Sequence, residues 1–367
     1  MILTADEVLA LRLSALLLSS EEPTAPPPSV ASIVEWFGAM QAQDLASGLW
    51  SFGARIPGST EASVTEALER REALRTWPMR GTIHFVPARD ARWMLEVLGA
   101  RPLAQAEARR SALGFDEATA ERGAAALGSA LAGGGRLTRA ECLEVLRAAG
   151  IDTTGQVGYH LLWYASQRGV TCIAPNVGTE QSFALLDEWV PNPHRPERDE
   201  ALATIALRYF RSHGPATRQD FARWTGLTVA DAKAGIAAAG GSLEGVETER
   251  GAMIMAAEAE ARPTTPPRVL PGFDEYMLGY ADRSLAVDGE RMASVIPGGN
   301  GVFQATLVLR GRVAGVWKRT NTPKRCAVAA WTWAPMATAD REGLEQAFAR
   351  YGEYLGRRVD VRWEVAN

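Results

Sequence analysis

Apolar residues recur at helical spacing through most of the chain, and short extended segments interrupt them in a regular order. The first such set predicts three helices and then two strands, over residues 30–39, 45–54, 62–71, 74–77 and 82–86. Three helices followed by a β-hairpin is the element order of a winged helix. The pattern therefore predicts one winged-helix unit near the N-terminus.

The same order occurs twice more along the chain. A second set of three helices and a hairpin is predicted over residues 116–132, 138–148, 155–168, 170–173 and 181–185. A third set is predicted over residues 199–213, 217–224, 228–239, 243–248 and 253–255. Thr138 with Glu141 is the pattern of a capping box, and Thr217 and Thr228 are candidate N-caps. Tandem copies of one supersecondary unit are a stronger fold signal than any single motif.

The C-terminal part has a different pattern, with strands and one helix predicted over residues 301–309, 313–318, 327–333, 339–355 and 359–365. We therefore predict a mainly α protein with β-hairpins (α+β), made of three tandem winged-helix units and a small C-terminal β-rich module. Pro-rich stretches at 22–28, 191–196 and 263–271 mark breaks between elements. The predicted boundaries place an N-terminal helix with the first unit, then the other units and the module, at 1–98, 99–190, 191–262 and 263–367.

Composition narrows the class of protein. The chain has 367 residues and a formal net charge of −4, which argues against indiscriminate coating of nucleic acid but leaves room for a local basic groove. Its three cysteines imply no disulfide framework, and its four histidines are scattered, so we expect neither a zinc site nor another cofactor. The apolar N-terminal segment is too short to span a bilayer and follows acidic residues, so we expect a cytoplasmic protein without membrane contact.

Two glutamines one residue apart, Gln41 and Gln43, are the strongest local signal for chemistry. On a helix their side chains would point to nearly opposite sides, whereas an extended or irregular turn would place both amides on one side. Because the pair lies between two predicted helices, we expect it to line a surface at that joint. Two amides can orient a water molecule without carrying charge. The alternative is a solvated pair that caps free backbone groups.

Four segments together resemble one family, namely Met40-Gln41-Ala42-Gln43-Asp44, Arg80-Gly81-Thr82-Ile83-His84, Leu270-Pro271-Gly272-Phe273-Asp274-Glu275-Tyr276-Met277-Leu278-Gly279-Tyr280 with Asp282-Arg283, and Gly311-Arg312-Val313-Ala314-Gly315-Val316-Trp317. They are similar, in this order, to the winged-helix DNA glycosylases of the AlkZ and YcaQ type, which remove bulky alkyl adducts and unhook interstrand crosslinks. The likeness covers the chain from about residue 4 to the end.

The resemblance implies a catalytic role for Gln41 and Gln43, because a Gln-x-Gln or Gln-x-Asp motif carries catalysis in that family. Asp44 lies one residue too late for the Gln-x-Asp form. The Gln-x-Gln branch is associated with self-resistance in producers of DNA-alkylating antibiotics. The implied function is that of a monofunctional DNA glycosylase that hydrolyses bulky N7-alkylguanine adducts and crosslinks in double-stranded DNA. We expect a monomer with no protein partner.

Two other functions fit the same elements. A non-enzymatic winged-helix regulator would bind DNA as a dimer at paired half-sites, although nothing in the sequence resembles a dimerisation coiled coil. A sequestering protein would instead bind the toxic small molecule itself. The 11 tryptophans keep this reading open, but they are spread along the chain as core residues are.

Residues that contact DNA or support the site are expected near the glutamines and in a C-terminal hairpin. The candidates are Arg75, Arg80, Gly81, Thr82, His84, Arg310, Arg312, Lys318 and Arg319. For each arginine the alternative is a solvated surface position. Gly81 is expected to permit a tight turn, and His84 either to bond the glutamine loop or a phosphate, or to be a buried structural residue.

Overall fold

A computed structural model describes residues 2–19, 28–262, 266–322 and 325–365. In this part of the chain helices and β-hairpins follow the predicted order, and the α+β class is confirmed. Residues 22–27 and 263–265 of the predicted Pro-rich breaks lie outside the described residues. Among the helices that the structure describes, none combines the length and apolar character needed to cross a bilayer.

The N-terminal part contains short strands around four helices and then a hairpin. Its elements are β1 (Ile2–Leu3), α1 (Ala5–Ala15), α2 (Val30–Phe37), β2 (Met40–Gln41), α3 (Leu45–Gly53), α4 (Glu61–Glu69), β3 (Ala73–Met79) and β4 (Thr82–Pro87). Ser29 and Thr60 start α2 and α4 as N-caps whose side chains accept from backbone N–H groups. The chain between α2 and α3 is extended rather than helical, as expected for the glutamine segment.

The second part begins with three short helices that the sequence pattern did not predict. Its elements are α5 (Ala91–Leu98), α6 (Ala100–Gln105), α7 (Glu107–Ala112), α8 (Glu117–Leu131), β5 (Arg136–Thr138), α9 (Arg139–Ala148), α10 (Val157–Gln167), β6 (Thr171–Val177), β7 (Glu180–Leu185) and α11 (Leu186–Trp189). The capping box of Thr138 and Glu141 is confirmed at the start of α9.

The third part follows the predicted pattern, and the C-terminal module follows it in part. The third part consists of α12 (Arg198–His213), α13 (Arg218–Thr225), α14 (Val229–Ala239), β8 (Leu243–Thr248) and β9 (Gly251–Ala256). The module consists of β10 (Arg268–Leu270), α15 (Glu275–Leu278), α16 (Met292–Val295), β11 (Ala305–Leu309), β12 (Arg312–Asn321), β13 (Arg325–Thr332), α17 (Thr338–Leu355) and β14 (Arg358–Val365). The module matches the pattern from β11 onwards, whereas β10, α15 and α16 were not predicted and β10 lies within the predicted Pro-rich break at 263–271. The side chains of Thr217 and Thr228 cap α13 and α14, as predicted.

The sheets connect parts of the chain that are distant in sequence. One sheet has the order β2-β4-β3-β6-β7-β5, so the hairpins of the first two predicted units meet, with Arg75 opposite Ile173. A second sheet adds β1 in parallel to β8, with Ile2 opposite Glu247. The module contains a five-stranded sheet in the order β10-β11-β12-β13-β14. The division into three winged-helix units and its boundaries stay a prediction, since their hairpins share sheets with other segments.

A buried ion pair joins the N-terminal part to the C-terminal module. The guanidinium of Arg55, which follows α3, contacts both carboxylate oxygens of Asp274 at 2.8 and 2.9 Å. Asp274 also caps α15 through the backbone N–H of Tyr276 and accepts from Ser51 Oγ. Tyr276 Oη donates to the carbonyl oxygen of Gly311 in the β11–β12 turn. These contacts hold α3, α15 and that turn in one core and thereby fix the position of the glutamine loop, which precedes α3.

Candidate functional site

The glutamine loop is held by hydrogen bonds on several sides. Ala42, between the glutamines, donates its N–H to the carbonyl of Ile83 on β4 at 2.9 Å. The N–H of Gln43 donates to Oε1 of Gln41 at 2.8 Å, and Oε1 of Gln43 accepts from the N–H of Ile83 at 3.2 Å. The backbone N–H of Gln41 donates to Glu275 Oε1 at 3.0 Å. Three of these four hydrogen bonds connect the loop to β4 and to Glu275, and the fourth lies within the loop.

The two amides differ in exposure, which the expectation of one shared surface did not anticipate. Gln41 is buried, with 9% of its surface exposed, whereas Gln43 is exposed. The reason is local, because the side chain of Gln41 bends towards its own loop and accepts from the Gln43 N–H. Gln43 thus presents the accessible amide, and Gln41 fixes the backbone that carries it.

A buried carboxylate, that of Glu275, lies directly behind the loop. Its Oε2 accepts from Trp224 Nε1 at 2.9 Å and lies 3.3 Å from His213 Nε2, while its Oε1 accepts from Gln41. Burial alone would raise the pKa of Glu275, but hydrogen bonds from His213 and Trp224 lower that pKa to about 2. A negative charge is therefore fixed in the interior beneath Gln41. The sequence motif contained Glu275 but did not indicate this role.

His84 is a buried residue opposite Gln41 in the sheet. Nδ1 lies 2.9 Å from the carbonyl oxygen of Thr82, and Nε2 lies 3.2 Å from Nη2 of Arg80. Because a carbonyl accepts and a guanidinium donates, the ring is neutral with its proton on Nδ1. Both ring nitrogens are therefore occupied within the hairpin. Of the alternatives for His84, the structure matches the buried structural residue.

Burial, with the nearby charge of Arg80, lowers the pKa of His84 to about 3, so stability should depend on pH. Below about pH 6.5 the unfolded chain binds a proton at this histidine and the folded chain does not, so stability falls as the pH drops towards 3. We expect His84→Asn, which keeps a donor for Thr82, to remove about 2 kcal/mol of the loss between pH 7.5 and 5.0. Urea unfolding of both proteins at the two pH values measures this. Equal losses would show that His84 does not titrate as stated.

The β3–β4 turn and Arg75 hold the strands beside the loop. Arg80 and Gly81 both have positive φ, +54° and +70°, so Gly81 permits the tight turn expected of it. Arg75 is buried, and its Nη2 donates to the carbonyl of Ala42 at 3.2 Å. Burial lowers the pKa of Arg75 to about 10, while Asp44 opposes that shift. Arg75 supports the loop from within the protein instead of lying on its surface.

A group of arginines lies beside the β3–β4 turn, and the sequence analysis identified only one of them. Arg101 donates from Nη1 to the carbonyl of Gly226 at 3.4 Å, and a Cβ at Gly226 would lie 3.3 Å from Cγ of Arg80. Arg223 is exposed, and its charge adds to the effect of burial, which lowers the pKa of Arg80. We call Arg80, Arg101 and Arg223 the arginine cluster. No local pattern could have revealed it, because its members come from three distant segments.

The four basic residues predicted to contact DNA from the C-terminal hairpin lie in two different environments. Arg319 lies 3.5 Å from the carboxylate of Asp44, next to Gln43, and Lys318 lies over the ring of Trp331. Arg310 and Arg312, by contrast, form ion pairs with Asp340 and Asp6, at 3.1 and 2.9 Å. Their turn packs on α1, since a Cβ at Gly311 would lie 2.4 Å from Leu13. Among these four residues, Arg319 alone has a described contact with the glutamine loop.

Side chains that commonly bind metals are not grouped in the described part of the chain. Within residues 2–19, 28–262, 266–322 and 325–365, no three histidine, cysteine, aspartate or glutamate side chains are grouped so that they could hold an ion. The cysteines Cys142, Cys172 and Cys326 are all buried and free.

Comparisons with known proteins identify the family of this chain. The profile of the family described as "DNA glycosylase AlkZ-like" matches residues 34–354. An "Interstrand DNA cross-link repair glycosylase" from Streptomyces sahachiroi is 28% identical over 314 residues, covering 79% of this chain and 82% of that protein. The solved structure of Streptomyces sahachiroi DNA glycosylase AlkZ superposes with a TM-score of 0.81 at 24% identity, covering 99% of this chain and all of that one. The resemblance inferred from the four motifs is thus confirmed, and the chain belongs to the AlkZ-like family of DNA glycosylases.

Proposed function

We propose that this DNA glycosylase hydrolyses the N-glycosidic bond of bulky N7-alkylguanine in double-stranded DNA, using the amides of Gln41 and Gln43. The observation that carries the proposal is the exposed amide of Gln43, fixed by backbone hydrogen bonds in a loop that covers an ionised, buried Glu275. The site thereby combines a positioned polar group with a fixed negative charge.

The substrate chemistry explains why amides suffice. Guanine alkylated at N7 is cationic and leaves as a neutral base, so little protonation of the leaving group is required. Positive charge develops on the sugar, in an oxocarbenium-like state comparable to that of glycoside hydrolysis. Such a reaction requires an oriented water and partial negative charge near the sugar. Oriented amide carbonyls provide both through position and preorganised dipoles.

The roles of the residues follow from their contacts. Oε1 of Gln43 accepts one hydrogen bond from Ile83, which leaves a second lone pair for a water molecule. Gln41 orients the Gln43 backbone through its own side chain. Glu275 holds the N–H of Gln41 and, as an ionised carboxylate bonded to His213 and Trp224, provides a negative group in the protein interior behind the loop.

The arginine cluster is the proposed phosphate-binding surface next to this site. Arg101 and Arg223 are exposed, and Arg80 connects them to His84 and hence to the strand paired with the glutamines. Guanidinium groups bind phosphate in two-point geometry, and mutual repulsion within the cluster is relieved when an anion binds. Arg319, beside Asp44, would add a further cation next to Gln43.

Replacing Arg223 with alanine should weaken DNA binding to a similar extent for all DNA sequences. Loss of one phosphate contact is expected to lower the slope of log affinity against log salt by about one. Fluorescence anisotropy with an undamaged duplex at several salt concentrations measures the slope. Arg218→Ala is the matched control, because Arg218 is an exposed arginine of the same helix outside the cluster. Equal slopes for Arg223→Ala and wild type would remove Arg223 from the interface.

The range of lesions is a further part of the proposal. The relative from Streptomyces sahachiroi is named for interstrand crosslink repair, and by that similarity we propose crosslinks as substrates together with monoadducts. The Gln-x-Gln motif supports a role in self-resistance to an alkylating natural product. A crosslinked nucleotide cannot readily be rotated into a closed pocket, which fits an exposed Gln43 better than a deep site.

A duplex with one N7-alkylguanine tests the proposal directly. We expect the protein to release the free alkylated base, detected by mass spectrometry, and to leave an abasic site that alkali cleaves. Undamaged DNA, incubated in parallel, should release no guanine. If the protein binds this duplex but releases no base above the spontaneous rate, the proposed reaction is wrong and the regulator becomes the better explanation.

A further inference from the structure

A cavity of about 170 Å³ lies between α3, α4 and the strands β3 and β6. Its walls are mainly apolar, formed by Leu45, Leu49, Leu68, Leu74, Ile173 and Pro175. An apolar cavity of about 150 Å³ is large enough to hold a benzene ring. The volume therefore suits one aromatic-sized group and not a whole nucleotide.

Three buried polar atoms without a described partner belong to residues that line this cavity. They are Nε of Arg75, Nε1 of Trp189 and Oδ1 of Asn176. A buried polar atom left unpaired costs about 1–3 kcal/mol, so three around one small space call for a partner. Two of the atoms are donors and one is an acceptor. A group with an oxygen acceptor next to an aromatic ring would match both the donors and the apolar walls.

The cavity adjoins the glutamine loop. Leu45 follows Gln43 by two residues, which span at most about 7 Å of extended chain. Arg75 connects the two places directly, because its Nη2 donates to the carbonyl of Ala42 while its Nε remains unpaired. Arg75 is 6% exposed, so its unpaired Nε–H lies in the protein interior and not at the surface. Arg75 thus belongs both to the wall of the cavity and to the support of the glutamine loop.

We propose that the cavity receives the substituent of the N7-alkyl adduct, and that it favours an aromatic-sized group carrying an oxygen acceptor, which Arg75 and Trp189 bind. The inference rests on the proposed function and names a substrate class for the same site. The proposal explains how the protein could recognise a bulky N7 substituent without a deep pocket for the base. The guanine stays at Gln43 while the substituent is bound beside α3.

The test compares two lesions and two variants of α4. The substrates are duplexes with N7-methylguanine or N7-phenacylguanine, since phenacyl carries a benzene ring and a carbonyl oxygen. Thr65 lines the cavity and is exposed, so Thr65→Trp fills its mouth, and Glu66→Trp places the same side chain next to it without lining the cavity. Each rate is corrected for spontaneous loss of the same base. We expect Thr65→Trp to slow phenacyl release at least about tenfold and to leave methyl release nearly unchanged, whereas Glu66→Trp behaves as wild type.

A binding measurement separates the cavity from the reaction. Free 7-phenacylguanine should raise the melting temperature of the wild type and of Glu66→Trp, but not that of Thr65→Trp. If wild type releases both bases and Thr65→Trp slows both or neither, the cavity is not the substituent site. If no base is released, the proposed function fails, and the melting shifts alone decide whether the cavity binds such a group. An unchanged melting temperature in the wild type would show that the cavity does not bind this group.

Discussion

Gln43→Ala is expected to lower the single-turnover rate of base release by about 10²- to 10³-fold, the usual cost of removing one oriented polar group from a site. The physical reason is that Gln43 carries the exposed amide, held by the N–H of Ile83, and alanine leaves no oxygen to orient water. Gln41→Ala should lose a comparable amount, because the Gln43 N–H then loses its partner. Rapid-quench assays on a duplex with N7-methylguanine measure both.

Binding and fold provide the controls for these glutamine variants. For Gln43→Ala, affinity for the damaged duplex and the melting temperature should stay near wild type, since the exposed side chain of Gln43 contributes little to the core. Gln219→Ala, at an exposed glutamine of α13, should release base at the wild-type rate. Gln43→Asp should retain more activity than Gln43→Ala, because it keeps an oxygen acceptor. Wild-type rates in both alanine variants would place the catalytic group elsewhere.

Asp274→Ala should strongly lower the free energy of unfolding. The side chains of Arg55 and Asp274 are 0% and 1% exposed, so the substitution leaves a buried guanidinium without its charge partner. Removing one member of a buried ion pair typically costs about 3–5 kcal/mol of unfolding free energy. Urea unfolding monitored by circular dichroism, with equal m-values for wild type and variant, measures the difference.

An exposed ion pair in the same protein is the matched control. Arg310 and Asp340 also form a two-point contact, but the Arg310 side chain is 73% exposed. Asp340→Ala should therefore cost less than about 1 kcal/mol. A loss at Asp274 as small as that at Asp340 would show that water or a neighbouring group compensates Arg55. It would also contradict the argument that this pair fixes α3 behind the glutamine loop.

The sequence by itself determined the local elements of this protein. Thr138 with Glu141 predicted the start of α9, and the helix expected over 199–213 is Arg198–His213 in the structure. Such features depend on residues within a few positions of each other, so that spacing and capping chemistry are enough to find them. The extended glutamine segment between two helices was predicted for the same reason, and the motifs in their order indicated the family.

The tertiary structure alone decided what surrounds the glutamines. Glu275 is 234 positions from Gln41, the strand of Arg75 pairs with that of Ile173, and both relations come from packing. Packing also determined which predicted cations meet the loop, since Arg319 reaches Asp44 while Arg310 is paired with Asp340. Periodicity reports which face of an element is buried, but not which distant element covers it. A carboxylate under the loop, an arginine cluster and a cavity beside α3 therefore had no signal in the sequence.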